Sequence, residues 1–327
     1  MAWIALARAK FGKTAETRTL EAYEIAKEAA RLGIARFVLS GTNHYETQLR
    51  DSFDSRLDVV EVMAELSRFH VIRRPHQIVP TEMKSAISEI MGLPHNSKPL
   101  PFGVGVSAMW DYPFEDMSPQ LMLLQDHDCE PLGLTPRVLE LFSAYPQHAN
   151  DILLLAGRDR RIFEQDKAVI QTLRSLDKDY VDRHSLIESE IASNPKLSAN
   201  IKEVVAGASL SELKEEIVQG CLALGINPTS LIERLAGDPS NYLRMLRLLK
   251  SRWVAYKMEL LIHRQQHRQW SLHDLHDVIA LSVAIPYCDV VVTENQWRHL
   301  AKTENLDREY NTRVVSPSSM REEFARL

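Results

Sequence analysis

"HDLHDVIALSVAIPYCDVVVTENQW", residues 273–297, decides how this chain is read. A helix-like run carrying Asp274 and Asp277 leads into the apolar stretch Cys288–Val292, which stops at Thr293 and Glu294. A short apolar run bounded by turn signals reads as a buried strand. The residues that follow repeat the rhythm: "TENQWRHLAKTEN" as a helix, "TRVVSP" as a strand and "SSMREEFARL" as a last helix. The other end of the chain reads alike. "WIALARAKFGK" and "TAETRTLEAYEIAKEAARLG" are helices, the second with Thr14 as N-cap and Gly33 as its stop. "IARFVLS" reads as a strand, "GTNHYETQLRDSF" and "SRLDVVEVMAELSRF" as helices, "HVIRRP" as a strand and "PTEMKSAISEIMG" as a helix.

Between these ends the pattern changes. "LPHNSKPLPFGVGVSAMWDYPFEDMSP" reads as an irregular linker because of its Pro and Gly. Pro119 to His267 then shows helical periodicity without a strand, closing on one long helix, "PSNYLRMLRLLKSRWVAYKMELLIHRQQHRQW". The expectation is an α/β fold: a parallel, doubly wound sheet built from residues 1–94 and 271–327, interrupted by an all-helical insertion over 95–270. Sites in such sheets lie beyond the carboxyl ends of the strands.

With 45% hydrophobic and 25% charged residues, the composition is that of a globular protein. The net charge of −5 provides no global basic surface, so a nucleic acid would need a local patch. Three widely spaced cysteines, Cys129, Cys221 and Cys288, fit a reducing cytoplasm and give no metal spacing. No apolar run reaches the length of a membrane span, and the N-terminal residues lack the parts of a signal peptide.

Under the sheet rule, Thr293 and Glu294 end a strand where a site should be. Asp277 lies near the start of the preceding helix, and Glu46 lies in the first turn or two of the helix after "IARFVLS". Three carboxylates converging on one rim suit a hard divalent ion, which takes oxygen ligands. Each also has a plainer reading, since an acid in a first helical turn complements the macrodipole. Asp274 reads as the N-cap of the helix carrying Asp277, Asp289 as structural, and Arg56 as a helix-surface charge in preference to a residue that approaches the metal rim.

"DVIALSVAIPYCDVVVTE" resembles the third and fourth acidic segments of PIN-domain nucleases, and "LSGTNHYETQLRDSFDSRLDVVEVMAELS" the second. "WIALARAKFGK" resembles the segment that follows the first strand in a bacterial PIN-like family. The likeness covers about the first 90 and last 55 residues. It implies a three-layer α/β/α fold and an endoribonuclease whose Mg²⁺ or Mn²⁺ is held by Glu46, Asp277 and Glu294, with Thr293 orienting a ligand or water. Hydrolysis of the phosphodiester by a metal-activated water is the implied reaction, in a toxin or defence role. The sequence departs from the family at Glu294, where an Asp is usual, and the family's first aspartate aligns about two residues before Met1; an upstream start is the expectation. The second reading is a decayed PIN-like scaffold that binds RNA or a protein partner.

The RNA, single-stranded by expectation, would lie along the long helix, where Arg244, Arg247, Lys250, Arg252, Lys257, Arg264 and Arg268 outnumber the lone Glu259. Trp253 and Tyr256 are candidate stacking surfaces. A homo-oligomer or a regulatory protein partner is a further expectation, and a membrane is not.

Overall fold

The computed structural model describes residues 2–14, 16–94, 97–110, 135–157, 178, 181–236, 240–265 and 270–327. The helices among them are α1 Ala2–Lys10, α2 Thr17–Leu32, α3 Gly41–Gln48, α4 Phe53–Ser67, α5 Pro75–Met91, α6 Val106–Trp110, α7 Pro136–Ala144 and α8 Ala149–Ala156. They continue with α9 (181–193), α10 Pro195–Ala199, α11 Ile201–Ser211, α12 Lys214–Ala223, α13 Pro228–Ala236, α14 Ser240–Leu248 and α15 Lys250–Arg264. The C-terminal set is α16 Leu272–Tyr287, α17 Asn295–Thr303, α18 Leu306–Glu309 and α19 Met320–Phe324. The strands are β1 His70–Ile72, β2 Phe102–Val104, β3 Val290–Val292 and β4 Arg313–Val315.

The expected three-layer α/β/α sheet is not what forms. The protein is mostly helical, and among the described residues its strands make two separate pairs, β1 with β2 antiparallel and β3 with β4 parallel. "IARFVLS" supplies one parallel bridge, Leu39 to Val71, rather than a strand. The physical reason lies in run length. Each apolar run is short, and each strand is only three residues long. That is below the usual strand length, so the mass of the fold falls to the helices on either side. The segment read as an irregular linker also holds β2 and α6, while its residues 95–96 and 111–119 lie outside the described residues.

Helix ends correct three further expectations. Glu16, not Thr14, is the N-cap of α2, and Gly33 closes that helix at φ 69°. Ser271 caps α16, and Asp274 is the third residue of its capping box, accepting from both the Ser271 backbone N–H and hydroxyl. The expected long helix is two helices, α14 and α15, broken at Leu249 (φ −83°, ψ 81°). The buried Glu82 of α5 explains where the second begins. Its carboxylate accepts from the Ser251 backbone N–H at 3.1 Å and from the Ser251 hydroxyl at 2.6 Å, satisfying the first turn of α15. The rest of the expected span, to Trp270, includes residues 266–269, which lie outside the described residues.

One core joins α1, α2 and α4 to Val138, Leu141, Ile152 and Leu155 of α7 and α8. Helix α4 lies at its centre, with Leu57, Val60, Met63, Ala64 and Ser67 all buried. Arg56, on the same helix, is completely buried and donates to the carbonyls of Ala156 at 2.6 Å and Arg50 at 2.7 Å, so it is neither a surface charge nor a rim residue. A second core packs α15 against α16, β3 and α17, and a third packs α5 against α12, α13 and α14. No described helix is long and apolar enough to cross a membrane.

Candidate functional site

Three elements deliver acidic side chains to one cavity of about 1130 Å³. Helix α3 brings Glu46, α16 brings Asp277, and the turn after β3 brings Thr293 and Glu294. Arg50, Asn43, His273, His276 and the first residues of α1 complete much of the lining.

Helix dipoles do not account for two of these acids. Glu46 sits in the last turn of α3, not the first, and there the dipole disfavours a negative charge. Asp277 lies beyond the first turn of α16, whose end is already satisfied by Ser271 and Asp274. Glu294 is the N-cap of α17, yet its side chain makes no capping hydrogen bond. Glu46 and Asp277 therefore occupy the cavity wall without a helix-end role to explain them, whereas Glu294 stands where a helix dipole favours a carboxylate.

Two contacts hold the acid-bearing elements in place. Tyr45 and His276, each one residue before an acid, meet edge to face with ring centroids 4.6 Å apart and join α3 to α16. Trp297 of α17, 1% exposed, donates its indole N–H to Oδ2 of Asp277 at 2.6 Å. Thr293 is buried, and its backbone N–H donates to the Val315 carbonyl at 2.9 Å, extending the β3–β4 ladder to the rim.

The electrostatics follow from this placement. Burial pushes the Asp277 carboxyl up to about 6, the indole donor opposes that rise, and the charges of Glu294 and Glu46 add to it. Like charges near one another and partly withdrawn from water disfavour further ionisation. A bound cation would relieve the strain. The donors are oxygens, which fits Mg²⁺ or Mn²⁺ and not a soft ion. Among the described residues, no three His, Cys, Asp or Glu side chains are already set to hold an ion. Mg²⁺ commonly binds through one or two carboxylates together with water and substrate phosphate, so the donor set suits an ion that arrives with its substrate.

His44 has other work. His44 is held between the Trp110 indole N–H at 2.9 Å and the Leu154 carbonyl at 2.7 Å, and burial lowers its pKa to about 4. Cys288 is a partly buried thiol pushed up to about 12, chiefly by burial.

The basic residues are placed elsewhere. Arg244 pairs with Glu89 at 3.1 Å and Arg247 with Glu309 at 3.0 Å. Arg252 pairs with Glu212 at 2.8 Å, while Lys257 and Arg264 share Glu304 at 2.7 Å and 3.8 Å. Lys250 is exposed at the start of α15, and Arg268 lies outside the described residues. Trp253 and Tyr256 stack on each other at 5.3 Å, with Trp253 donating to Glu309 and Tyr256 buried. Five of these cations thus form ties between elements, and none of the six described ones lines the acidic cavity.

Reasoning from the sequence alone missed Trp297. Its signal was present: it follows Glu294 by three residues in "TENQW", one helical turn on. Arg50, four residues after Glu46, was also missed. Compared with protein-family models, curated proteins and solved structures, the chain matches none.

Proposed function

We propose that this protein is a metal-dependent endoribonuclease that hydrolyses phosphodiester bonds of single-stranded RNA in the acidic cavity with Mg²⁺ or Mn²⁺. The observation that carries the reading is Asp277, raised to about 6 by its burial and by the charges of Glu294 and Glu46. A side chain perturbed by desolvation and by specific charges in a cleft is the physical mark of a functional carboxylate. The likeness of three segments to PIN-domain nucleases points to the same residues. The cavity, at about 1130 Å³, is larger than most small-molecule pockets and has room for a polymer segment.

When bound, the divalent ion supplies an acidified water and neutralises charge on the phosphodiester. The chain's own groups bind and orient. Asp277 presents the oxygen not engaged by Trp297, and Glu46 and Glu294 provide further oxygens across the cavity. Thr293 offers a hydroxyl at the rim, and Arg50 offers a guanidinium to a phosphate oxygen. Three carboxylates on one wall repel a bare phosphodiester, so RNA binding in the cavity requires the ion. Arg244, Arg247, Arg252, Lys257 and Arg264 would meet phosphates only by exchanging their carboxylate partners. That constraint favours the second reading for this helical face, a scaffold surface for a protein partner. Widely separated cysteines, with Cys221 and Cys288 free, support a cytoplasmic setting.

Incubation of single-stranded RNA with Mn²⁺ and either the protein or Asp277→Asn tests the reading. The wild type is expected to cut at least about a hundredfold faster than the variant. Equal rates, or no cutting by either, would defeat the enzyme reading.

A further inference from the structure

We propose that Trp297 is a positioning residue that fixes the Asp277 carboxylate, committing Oδ2 to its indole N–H and leaving Oδ1 to face a cation. The inference rests on the reading of Asp277 as a cation-binding group. Its geometric basis is independent of that reading. Trp297 is 1% exposed, so its N–H has left water and needs an acceptor, and it finds one at 2.6 Å on a charged group from another helix. Hydrogen bonds to a carboxylate are short and strong, and they restrict its rotation about the Cβ–Cγ bond.

The location of Trp297 adds a second effect. Glu294 is the N-cap of α17, and Trp297 is the third residue inside it. One helical turn therefore carries both an acid of the cavity and the donor that grips another acid. By docking α17 onto α16, the Trp297–Asp277 bond sets the separation of Asp277 from Glu294. Partners that orient metal-ligating carboxylates are worth about 10–100-fold in metal affinity.

Trp297 also belongs to the core of α15, α16 and α17, so a purely structural role predicts loss of stability alone. The test separates the two roles. Mn²⁺ affinity is measured by electron paramagnetic resonance for the wild type, Asp277→Asn, Trp297→Phe and Leu300→Ala, with thermal unfolding in parallel. Leu300, on the same helix and buried in the same core but not in the cavity lining, reports packing loss. Trp297→Phe should weaken Mn²⁺ binding about 10–100-fold while staying folded, and Leu300→Ala should lower stability with affinity within about twofold. If Asp277→Asn loses Mn²⁺ and Trp297→Phe does not, or if Leu300→Ala weakens binding as much as Trp297→Phe, the positioning role is overturned and the cation site stands. If wild type and Asp277→Asn bind Mn²⁺ equally, the cation site itself is wrong and the positioning role goes with it. A two-dimensional ¹H–¹⁵N spectrum checks the contact directly: the Trp297 indole resonance should move in Asp277→Leu, and an unmoved resonance rejects the hydrogen bond.

Discussion

Helix α16 meets a buried or half-buried carboxylate near each end, and the two are served differently. Near its C-terminus, Tyr287 donates to Glu82 at 2.5 Å, and the same carboxylate takes the Ser251 N–H and hydroxyl. Toward its N-terminus, Asp277 has the Trp297 donor, two acidic neighbours and an open cavity. Burial raises the pKa of both. Around Glu82 the donors come from two other elements and pin α5, α15 and α16 together. Around Asp277 the neighbours are negative, so a cation or a proton must complete the site. A raised pKa alone does not distinguish a structural tie from a candidate working group; the sign of the surrounding charge does.

The largest effect should come from the structural member. Glu82→Ala strands the Ser251 N–H and the Tyr287 hydroxyl and leaves a void, a loss of about 3–5 kcal/mol readable from urea unfolding. A loss under 1 kcal/mol would erase the contrast. Asp277→Asn should go the other way in the absence of metal. Because the folded carboxyl titrates near 6 and the unfolded one near 3.8, folding works against ionisation, and wild-type stability falls as pH rises through that window. The variant should therefore gain at most about 3 kcal/mol above pH 6 and nothing below about pH 4. Unfolding curves in EDTA at pH 4 and 7.5 check this, and a gain that persists at pH 4 would point to packing rather than charge. The smallest effect belongs to the exposed ion pairs. Arg244→Ala and Arg247→Ala should each change stability by under about 1 kcal/mol, since exposed pairs contribute little. Thermal shifts at low and high salt will show whether those pairs matter more than that.

The legibility of the sequence divides along the same line. That Glu46, Asp277, Thr293 and Glu294 come to one cavity was readable chiefly from Thr293 and Glu294, where an apolar run meets a polar break, and from Asp277 as an acid inside the apolar helix before it. The sheet was misread because "FVL", "HVI" and "VVV" carry the composition of strands but not the length, and apolar composition alone does not say how many residues will pair. The ion-pair partners of the basic residues could not be read from the sequence because they are remote: Glu89 lies 155 residues from Arg244, and Glu309 lies 62 from Arg247. Glu82 was invisible for a related reason. Its donors come from positions 169 and 205 residues away, and nothing near Glu82 marks it as a cap for another helix.

The proposed function stands or falls on whether Glu46, Asp277 and Glu294 share a cation in one cavity. Anomalous diffraction from crystals soaked in Mn²⁺ and a short RNA carrying a non-hydrolysable linkage tests it most directly. The account predicts an anomalous peak in the cavity, about 2.1 Å from an oxygen of Asp277 and within reach of Glu46 or Glu294. A cavity without a peak, or a peak held only by residues elsewhere, would contradict it.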